Sequence, residues 1–246
     1  MNAALEVRKL CKSFGALKVA DEIDFCLERG ARHALIGPNG AGKTTFINML
    51  TGRLRPSSGQ MLLGGEDITE LGQAARVKRG LGRTFQINTL FHDMNVLDIS
   101  VAEREGVAWR MFRAANAHRG VIDESMDLLQ TLGLAEDARN SVARLPYGKQ
   151  RLVEIAVALG LKPRVLLLDE PAAGVPSLES HRILEVLAAL PGDIAILIIE
   201  HDMDLVFRFA RRITVLAQGA ILAEGAPAEI AENQRVREVY LGERHV

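Results

Sequence analysis

Eight consecutive residues have the types and spacing of a phosphate-binding loop, G-x-x-x-x-G-K-[ST]: Gly37, Pro38, Asn39, Gly40, Ala41, Gly42, Lys43 and Thr44. Thr45 follows them and is a further candidate for phosphate contact. Glycines let such a backbone curl so that successive N–H groups point inward, and a following helix adds the positive end of its dipole. Lys43 would contact the β- and γ-phosphates, and the Thr44 hydroxyl would be a ligand of Mg²⁺. The loop therefore predicts a nucleoside triphosphate site. The alternative is a glycine-rich turn that binds no ligand.

Two carboxylates form a second group of candidate catalytic residues. Asp169 and Glu170 follow the apolar run 165–168, which indicates a buried strand. Ligands of open α/β sheets bind at the carboxyl ends of the strands, so these side chains are expected at a binding edge. Asp169 would hold Mg²⁺ through water, and Glu170 would polarise the water that attacks the γ-phosphate. The alternative is a strand that ends in two solvated acids.

The hydrophobic pattern predicts the elements that position these residues. Residues 33–36 indicate a buried strand before the loop, and the apolar residues at 46, 47, 49 and 50 indicate a helix after it. Alternation in the first thirty residues, and a short run at 61–63, predict antiparallel strands. The apolar runs 165–168 and 194–199, separated by a helical pattern, predict a parallel βαβ core.

Two further regions have patterns of their own. From about Asp98 to Arg144 the period is helical, with Gly133 near a helix end, which predicts a separate helical lobe. Residues 213–223 predict a hairpin whose turn is Gln218-Gly219, and Pro227 then opens a short helix.

Composition limits the class of protein. With 246 residues, 48% of them hydrophobic, the chain can build a sizeable core. A formal net charge of −1 gives no bulk basic field, so no nucleic-acid partner is predicted. The two cysteines, Cys11 and Cys26, form no disulfide framework or metal spacing, which fits a reducing interior. No secretion signal is evident, and the apolar runs are far shorter than the roughly 20 residues that span a bilayer. Any membrane role is expected to be peripheral.

In their order along the chain, these motifs resemble those of the ATP-binding subunit of ABC transporters, from about Leu5 to Gly242. The resemblance implies an α/β fold: a phosphate-loop (RecA-like) ATPase core with an N-terminal antiparallel β subdomain and an inserted α-helical subdomain. Residues 1–246 would form one ATP-binding domain, with 1–86 and 156–246 as the core and β subdomain, and 87–155 as the helical subdomain.

The resemblance also implies roles for three residues outside the phosphate loop. Phe14 matches the aromatic position that stacks on adenine, although core packing is an alternative for this side chain. Gln86 matches the glutamine loop, where it would contact Mg²⁺ and report the nucleotide state to the helical subdomain. His201, in Ile199-Glu200-His201-Asp202, matches the switch histidine that contacts the γ-phosphate and holds the attacking water.

The signature segment departs from the family's common Leu-Ser-Gly-Gly-Gln form. It reads Leu145-Pro146-Tyr147-Gly148-Lys149, and the apolar spacing that follows predicts that a helix begins here. In the family this helix start grips the γ-phosphate of ATP that a partner subunit holds. Pro146 offers neither a hydroxyl nor an N–H, so the grip would rest on Gly148 with Lys149 or the Tyr147 hydroxyl. One of two ATP sites would then be weakened.

Within the family, the chain most resembles importers of branched-chain amino acids. The residues that carry this resemblance are Tyr147, the run 170–174 and the ending Val239-Tyr240-Leu241-Gly242-Glu243. Importers of urea or amides share much of this pattern. Pro176 replaces the expected Asn or Asp, which puts communication between two ATP sites through that loop in question. Residues 89–97 would suit a groove for a helix of a membrane subunit, or would pack within the lobe.

The resemblance implies a peripheral subunit at the cytoplasmic face of the membrane. It would bind ATP and Mg²⁺, pair head to tail with a second ATP-binding subunit, and move two transmembrane permease subunits, indirectly serving an extracytoplasmic solute-binding protein. Alternatives are a lipid or glycolipid exporter, or a soluble ATPase acting on nucleic acid or ribosomes. The sequence has neither the long coiled-coil insertion nor the second cassette that would favour a soluble ATPase of that kind. A phosphate-loop kinase is disfavoured as well, because it would need neither a signature helix nor His201.

Overall fold

The structure, a computed structural model, describes residues 3–84, 94–98 and 119–242. The chain divides into two compact units. The first contains Met1–Leu81, Arg164–Pro171 and Pro191–Val246, and the second contains Gly82–Pro163 and Ala172–Leu190.

The strands form two sheets. In chain order they are β1 Ala3–Phe14, β2 Leu17–Glu28, β3 Arg32–Ile36, β4 Ser58–Leu63, β5 Glu66–Asp67, β6 Leu81–Arg83, β7 Val165–Asp169, β8 Ala195–Ile199, β9 Arg212–Ala217 and β10 Ala220–Gly225. One sheet has the order β2-β1-β4-β5 and the other the order β10-β9-β3-β8-β7-β6.

The smaller sheet confirms the predicted antiparallel strands. β1 pairs with β2 so that Leu5 lies opposite Leu27 and Val7 opposite Phe25, and β1 also pairs antiparallel with β4. These four side chains are buried, because alternate residues of each strand face the same side of the sheet.

The larger sheet confirms the predicted parallel core. β3 pairs in parallel with both β8 and β9, and β7 pairs in parallel with β8. Every residue of β3 and β8 is buried, which explains the apolar sequence of β8, whereas β3 begins with the buried Arg32 and His33 before its apolar residues. β9 and β10 form the predicted hairpin, with positive φ at Gln218 and Gly219 in its turn.

The helices, in chain order, are α1 Lys43–Leu50, α2 Gln73–Lys78, α3 Arg119–Thr131, α4 Tyr147–Gly160, α5 Ser177–Ala189, α6 Met203–Phe209, α7 Pro227–Glu232 and α8 Gln234–Gly242. Local sequence explains several of their starts. The Asp202 carboxylate accepts hydrogen bonds from the N–H groups of Asp204 (2.9 Å) and Leu205 (3.3 Å), and so caps α6. Pro227 occupies the first turn of α7, as predicted.

The second unit differs from the predicted limits of the helical subdomain, 87–155. The position 155/156 lies inside α4, whose buried face continues without a break to Leu159 and Gly160. The unit also includes Ala172–Leu190, and therefore α5. The limits 87–155 stay a prediction.

The charged side chain of Arg76 is deeply buried in the first unit. The guanidinium of Arg76 donates hydrogen bonds to the carbonyl oxygens of Met49 (2.6 Å), Leu50 (2.7 Å), Thr69 (2.9 Å) and Leu71 (2.7 Å). Burial lowers the pKa of Arg76 to about 10. Met49 and Leu50 end α1, so Arg76 satisfies carbonyl groups that the helix itself leaves open. It fastens the carboxyl end of the helix that follows the phosphate loop.

His33 belongs to a buried polar network in the larger sheet. Its Nε2 lies 2.8 Å from Thr214 Oγ1, and that hydroxyl donates to Glu224 Oε2 at 2.8 Å. Because the hydroxyl proton goes to Glu224, Nε2 must donate to Thr214 and the ring is in the Nε2–H tautomer. Burial lowers the pKa of His33 to about 4.

Arg76→Met should destabilise the fold, because it removes the side-chain donor of four carbonyl groups, of which that of Met49 also accepts a hydrogen bond from the N–H of Gly52 at 3.1 Å. We expect the free energy of unfolding to fall by about 3 kcal/mol or more, measured by urea denaturation. Lys78→Met, at an exposed position of the same helix, is the control and should change it by less than about 0.5 kcal/mol. Equal losses in the two variants would contradict the anchoring role.

Stability should fall as the pH decreases from about 6.5 to about 4, because the unfolded chain then takes up a proton that native His33 does not. The contribution is present above pH 6.5 and reaches at most about 3 kcal/mol. In urea denaturation at several pH values, His33→Gln should show a shallower loss over this range than the unmodified chain. Parallel curves for the two proteins would count against a buried neutral His33.

Candidate functional site

The predicted phosphate loop lies between β3 and α1, and close approaches require glycine at two of its positions, 37 and 42. A Cβ at Gly37 would overlap the carbonyl oxygen of Leu216, and one at Gly42 would lie 2.8 Å from that of Val19. Gly42, with φ +100°, is the residue that precedes the first turn of α1. A residue with a side chain would therefore displace neighbouring backbone at either position.

Lys43 lies inside the curve of this loop. Its ammonium group donates to the carbonyl oxygens of Gly37 (2.5 Å) and Pro38 (2.8 Å). The loop is also held by a hydrogen bond from the N–H of Gly219 to the carbonyl of Ala41 (3.0 Å). Gly37 and Ala41 are buried, and the exposed or partly exposed members of the loop are Pro38, Asn39, Gly40, Gly42, Lys43, Thr44 and Thr45. The positive charge of Lys43 and the amino-terminal end of α1 together favour the binding of an anion at this loop.

The two predicted carboxylates lie at the carboxyl end of β7, which belongs to the same sheet as β3. Asp169 is the last residue of β7 and is partly exposed, while the exposed Glu170 follows it. The N–H of Glu170 donates to the carbonyl of Ile199 at 2.9 Å, which continues the pairing of β7 with β8 by one residue. Glu170 has φ +47°, a conformation that side chains other than glycine rarely adopt.

His201 lies beside Glu170. Its Nδ1 is 3.4 Å from Glu170 Oε1, and both side chains are exposed. The neighbouring Glu200 is buried, and Asp202 caps α6, so His201 is fixed between two anchored residues. The strand order β3-β8-β7 places the loop, His201 and the carboxylates at the carboxyl ends of three neighbouring parallel strands.

The signature segment belongs to the second unit and begins α4. Pro146 precedes the helix with φ −53°, and Tyr147, Gly148 and Lys149 form its first turn. The Lys149 ammonium group donates to Asp137 Oδ2 at 2.6 Å, and this bond lowers the pKa of Asp137. Roles for Tyr147, Gly148 and Lys149 in holding a nucleotide stay predictions.

Of the two remaining predicted residues, the structure describes Phe14 but not Gln86. Phe14 is 52% exposed at the end of β1, with the Lys12 ammonium 5.1 Å from its ring centroid. Such exposure excludes core packing, and the adenine role of Phe14 stays a prediction. Gln86 lies outside the described residues, as does most of the segment 89–97.

Sequence reasoning missed the residues that surround the signature turn. Asp137 binds Lys149, Arg151 lies 5.0 Å from the ring of Tyr147, and Gly174 packs beneath that ring. Gly174 is 27 positions from Tyr147, so no local pattern could have paired them. The i, i+4 spacing of Tyr147 and Arg151 was the one available signal.

Within the described ranges, no cluster of three or more His, Cys, Asp or Glu could hold a metal ion by itself. The hydroxyl of Thr44 and the carboxylate of Asp169 are nonetheless the hard oxygen donors that Mg²⁺ prefers. In nucleotide-binding sites Mg²⁺ takes one or two protein oxygens and completes its shell with phosphate and water. The donor set therefore fits a magnesium ion that is bound together with a nucleotide.

A strand, a glycine-rich loop that encloses a lysine, a helix, and a further parallel strand of the same sheet whose carboxyl end carries two carboxylates define a phosphate-loop nucleotide-binding protein. Comparison with protein families agrees with this class and refines it. Residues 20–173 match the family described as "ABC transporter", and residues 220–246 match "Branched-chain amino acid ATP-binding cassette transporter". The chain belongs to the ABC transporter family and is an ABC-type ATPase.

Relatives match almost the whole chain. "High-affinity branched-chain amino acid transport ATP-binding protein BraF" of Pseudomonas aeruginosa is 36% identical over 97% of this chain and 98% of its own length. The LivG protein of the same description from Escherichia coli K12 is 37% identical over the same shares. A "Probable branched-chain amino acid transport ATP-binding protein LivG" of Archaeoglobus fulgidus is 34% identical, over 97% and 95%.

Solved structures confirm the predicted fold class. The ADP conformation of MJ1267, an ATP-binding cassette of an ABC transporter, superimposes with a TM-score of 0.88 at 28% identity, over 98% of this chain and all of that one. A nucleotide-free cassette gives 0.86 at 28% identity, over 97% and 98%. In the described residues, no helix is long and apolar enough to cross a membrane.

Two substitutions should separate nucleotide binding from hydrolysis. Lys43→Ala removes the charge within the loop, so the Kd for ATP should rise about tenfold or more. Glu170→Gln keeps the shape of the side chain but removes the carboxylate that is predicted to act as the base, so hydrolysis should fall about 10²- to 10⁴-fold with little change in Kd. Fluorescent-nucleotide titration and phosphate release measure the two effects.

Glu185→Gln, an exposed position on α5, is the control and should leave both quantities unchanged. Undiminished phosphate release in Glu170→Gln would show that another residue activates the water.

Proposed function

We propose that this chain is the ATP-hydrolysing subunit of an importer for branched-chain amino acids. The observation that carries the proposal is similarity over the whole length: 36% and 37% identity to BraF and LivG over 97% of the chain. The match of residues 220–246 supports the same assignment, because that segment lies outside the part that matches the general ABC transporter family.

In this proposal the first unit binds and hydrolyses ATP. Lys43 and the N–H groups of the loop hold the phosphates, and Phe14 stacks on the adenine. Thr44, Asp169 and Gln86 would hold Mg²⁺, which would neutralise phosphate charge. Glu170 takes a proton from the attacking water, and His201 holds that water beside the γ-phosphate. The 3.4 Å between His201 Nδ1 and Glu170 Oε1 supports these roles, since two groups so close can contact one water molecule.

The proposed assembly is a motor built from several chains. Two ATP-binding subunits would pair head to tail, so that the first turn of α4 in one subunit contacts the nucleotide of the other. They would lie at the cytoplasmic face of the membrane against two permease subunits, and a solute-binding protein outside would deliver the amino acid. ATP would favour the closed pair and ADP the open one, which drives alternating access.

Copurification tests this assignment. The tagged Glu170→Gln chain, which should bind ATP without hydrolysing it, is isolated from gently solubilised membranes, with Lys43→Ala as the control that should not trap a closed pair. Two polytopic permeases, a sister ATPase and a neighbouring solute-binding protein are expected. Isothermal titration of that last protein with leucine, isoleucine and valine should then show tight binding.

Other outcomes would overturn particular parts of the proposal. A solute-binding partner that prefers urea or short amides would change the substrate. Permeases that carry lipid, with no solute-binding partner, would indicate an exporter. Ribosomes or DNA-bound factors in place of permeases would remove the transport assignment.

A further inference from the structure

The first turn of α4 packs against the loop that joins Glu170 to α5. A Cβ built on Gly174 would lie 3.3 Å from Cε1 of Tyr147, so the tyrosine ring rests on the Gly174 backbone. Gly174 has φ +74°, which glycine adopts without steric cost. Backbone conformation and close approach therefore both favour glycine at position 174.

The ring of Tyr147 is held from within its own helix as well. The Arg151 guanidinium carbon lies 5.0 Å from the ring centroid, within the range of a cation–π contact. Arg151 is itself fixed by Glu154, with Nη1 2.7 Å from Oε2, and these two side chains are only 12% and 6% exposed. Their i, i+4 and i, i+3 spacing places all three on one face of α4. The ring is therefore rigidly placed although it is 38% exposed.

The next residue of the same turn makes a second close approach. A Cβ on Gly148 would overlap the carboxylate of Glu179, which lies in the first turn of α5. Two consecutive residues, Tyr147 and Gly148, thus contact the segment 174–179. Five residues of chain separate Pro171, which follows Glu170, from the start of α5 at Ser177, so the loop is short and can transmit a displacement.

We propose that Tyr147 is a positioning residue for ATP hydrolysis: by resting on Gly174, its ring fixes the first turn of α4 to the loop that follows Glu170. A shift of that loop then moves the turn of the same chain. The inference rests on the proposed function, in which this turn contacts the nucleotide of the second subunit. A misplacement of about 1 Å in such a contact can cost about 100-fold in rate.

A double-mutant cycle tests the contact in the complex isolated through the tagged chain. The variants are Tyr147→Ala, Tyr147→Phe, Gly174→Ala and the double variant Tyr147→Ala/Gly174→Ala, each assayed for kcat, KM for ATP and midpoint of thermal unfolding. Gly65→Ala is the matched control, because Gly65 also has a positive φ, +89°, but a Cβ there meets nothing within 4 Å. It reports the effect of backbone strain without a crowded neighbour.

We expect Tyr147→Ala to lower kcat about tenfold or more while KM and the thermal midpoint change little, because the phosphate loop is untouched. Tyr147→Phe keeps the ring and should retain most of kcat. Gly174→Ala should lower kcat more than Gly65→Ala does, and the double variant should be less impaired than the product of the single effects.

Three results would overturn the proposal: a kcat of Tyr147→Ala within about twofold of the unmodified complex, independent effects of the two substitutions, or equal losses in Tyr147→Phe and Tyr147→Ala, which would assign the role to the hydroxyl. A fall in kcat that only follows a fall in thermal midpoint would show a structural role. If the isolated complex shows no ATP hydrolysis that Lys43→Ala abolishes, the proposed function is itself overturned. That result differs from the outcomes above, in all of which the unmodified complex hydrolyses ATP.

Discussion

The parallel register of three buried strands is the constraint on which the site depends. Ile199, at the end of β8, lies opposite Leu35 of β3 on one side and Asp169 of β7 on the other. The residues that follow these strands must therefore emerge together at one edge. A slip of one residue would turn the buried side chains of β8 to the opposite face and move His201 away from Glu170. The register of these aliphatic strands thus determines which residues meet at the site.

The short helix α1 needs support at both ends. It has eight residues, too few to be stable alone in water, so its position must come from tertiary contacts. At its start the glycine loop encloses Lys43, and at its end the buried Arg76 holds the carbonyls of Met49 and Leu50. Catalysis of phosphoryl transfer depends chiefly on positioning and electrostatics. A helix fastened at both ends supplies that rigidity for the loop.

Much of the fold could be predicted because the pattern of each element is local. The phosphate loop, the apolar runs of β7 and β8, and the Gln218-Gly219 turn all have strong local signals. Arg76 could not be predicted, since a charged residue in a short polar helix gives no sign that distant carbonyls will bury it. The pairing of Lys149 with Asp137 and of Tyr147 with Gly174 depends likewise on tertiary contacts.

The backbone of Glu170 adds independent weight to its assignment as the base. In the described part of the chain, the non-glycine residues with positive φ are Lys9, Glu22, Lys162, Glu170 and Gln218. Lys9 and Glu22 lie at register shifts of a sheet, Gln218 in a hairpin turn, and Lys162 just after α4. Glu170 instead follows a regular parallel strand and keeps a hydrogen bond to Ile199. Strain of this kind costs about 1–3 kcal/mol and persists where the surroundings enforce it. Here the pairing of β7 with β8 holds the backbone, and the conformation directs the carboxylate to His201.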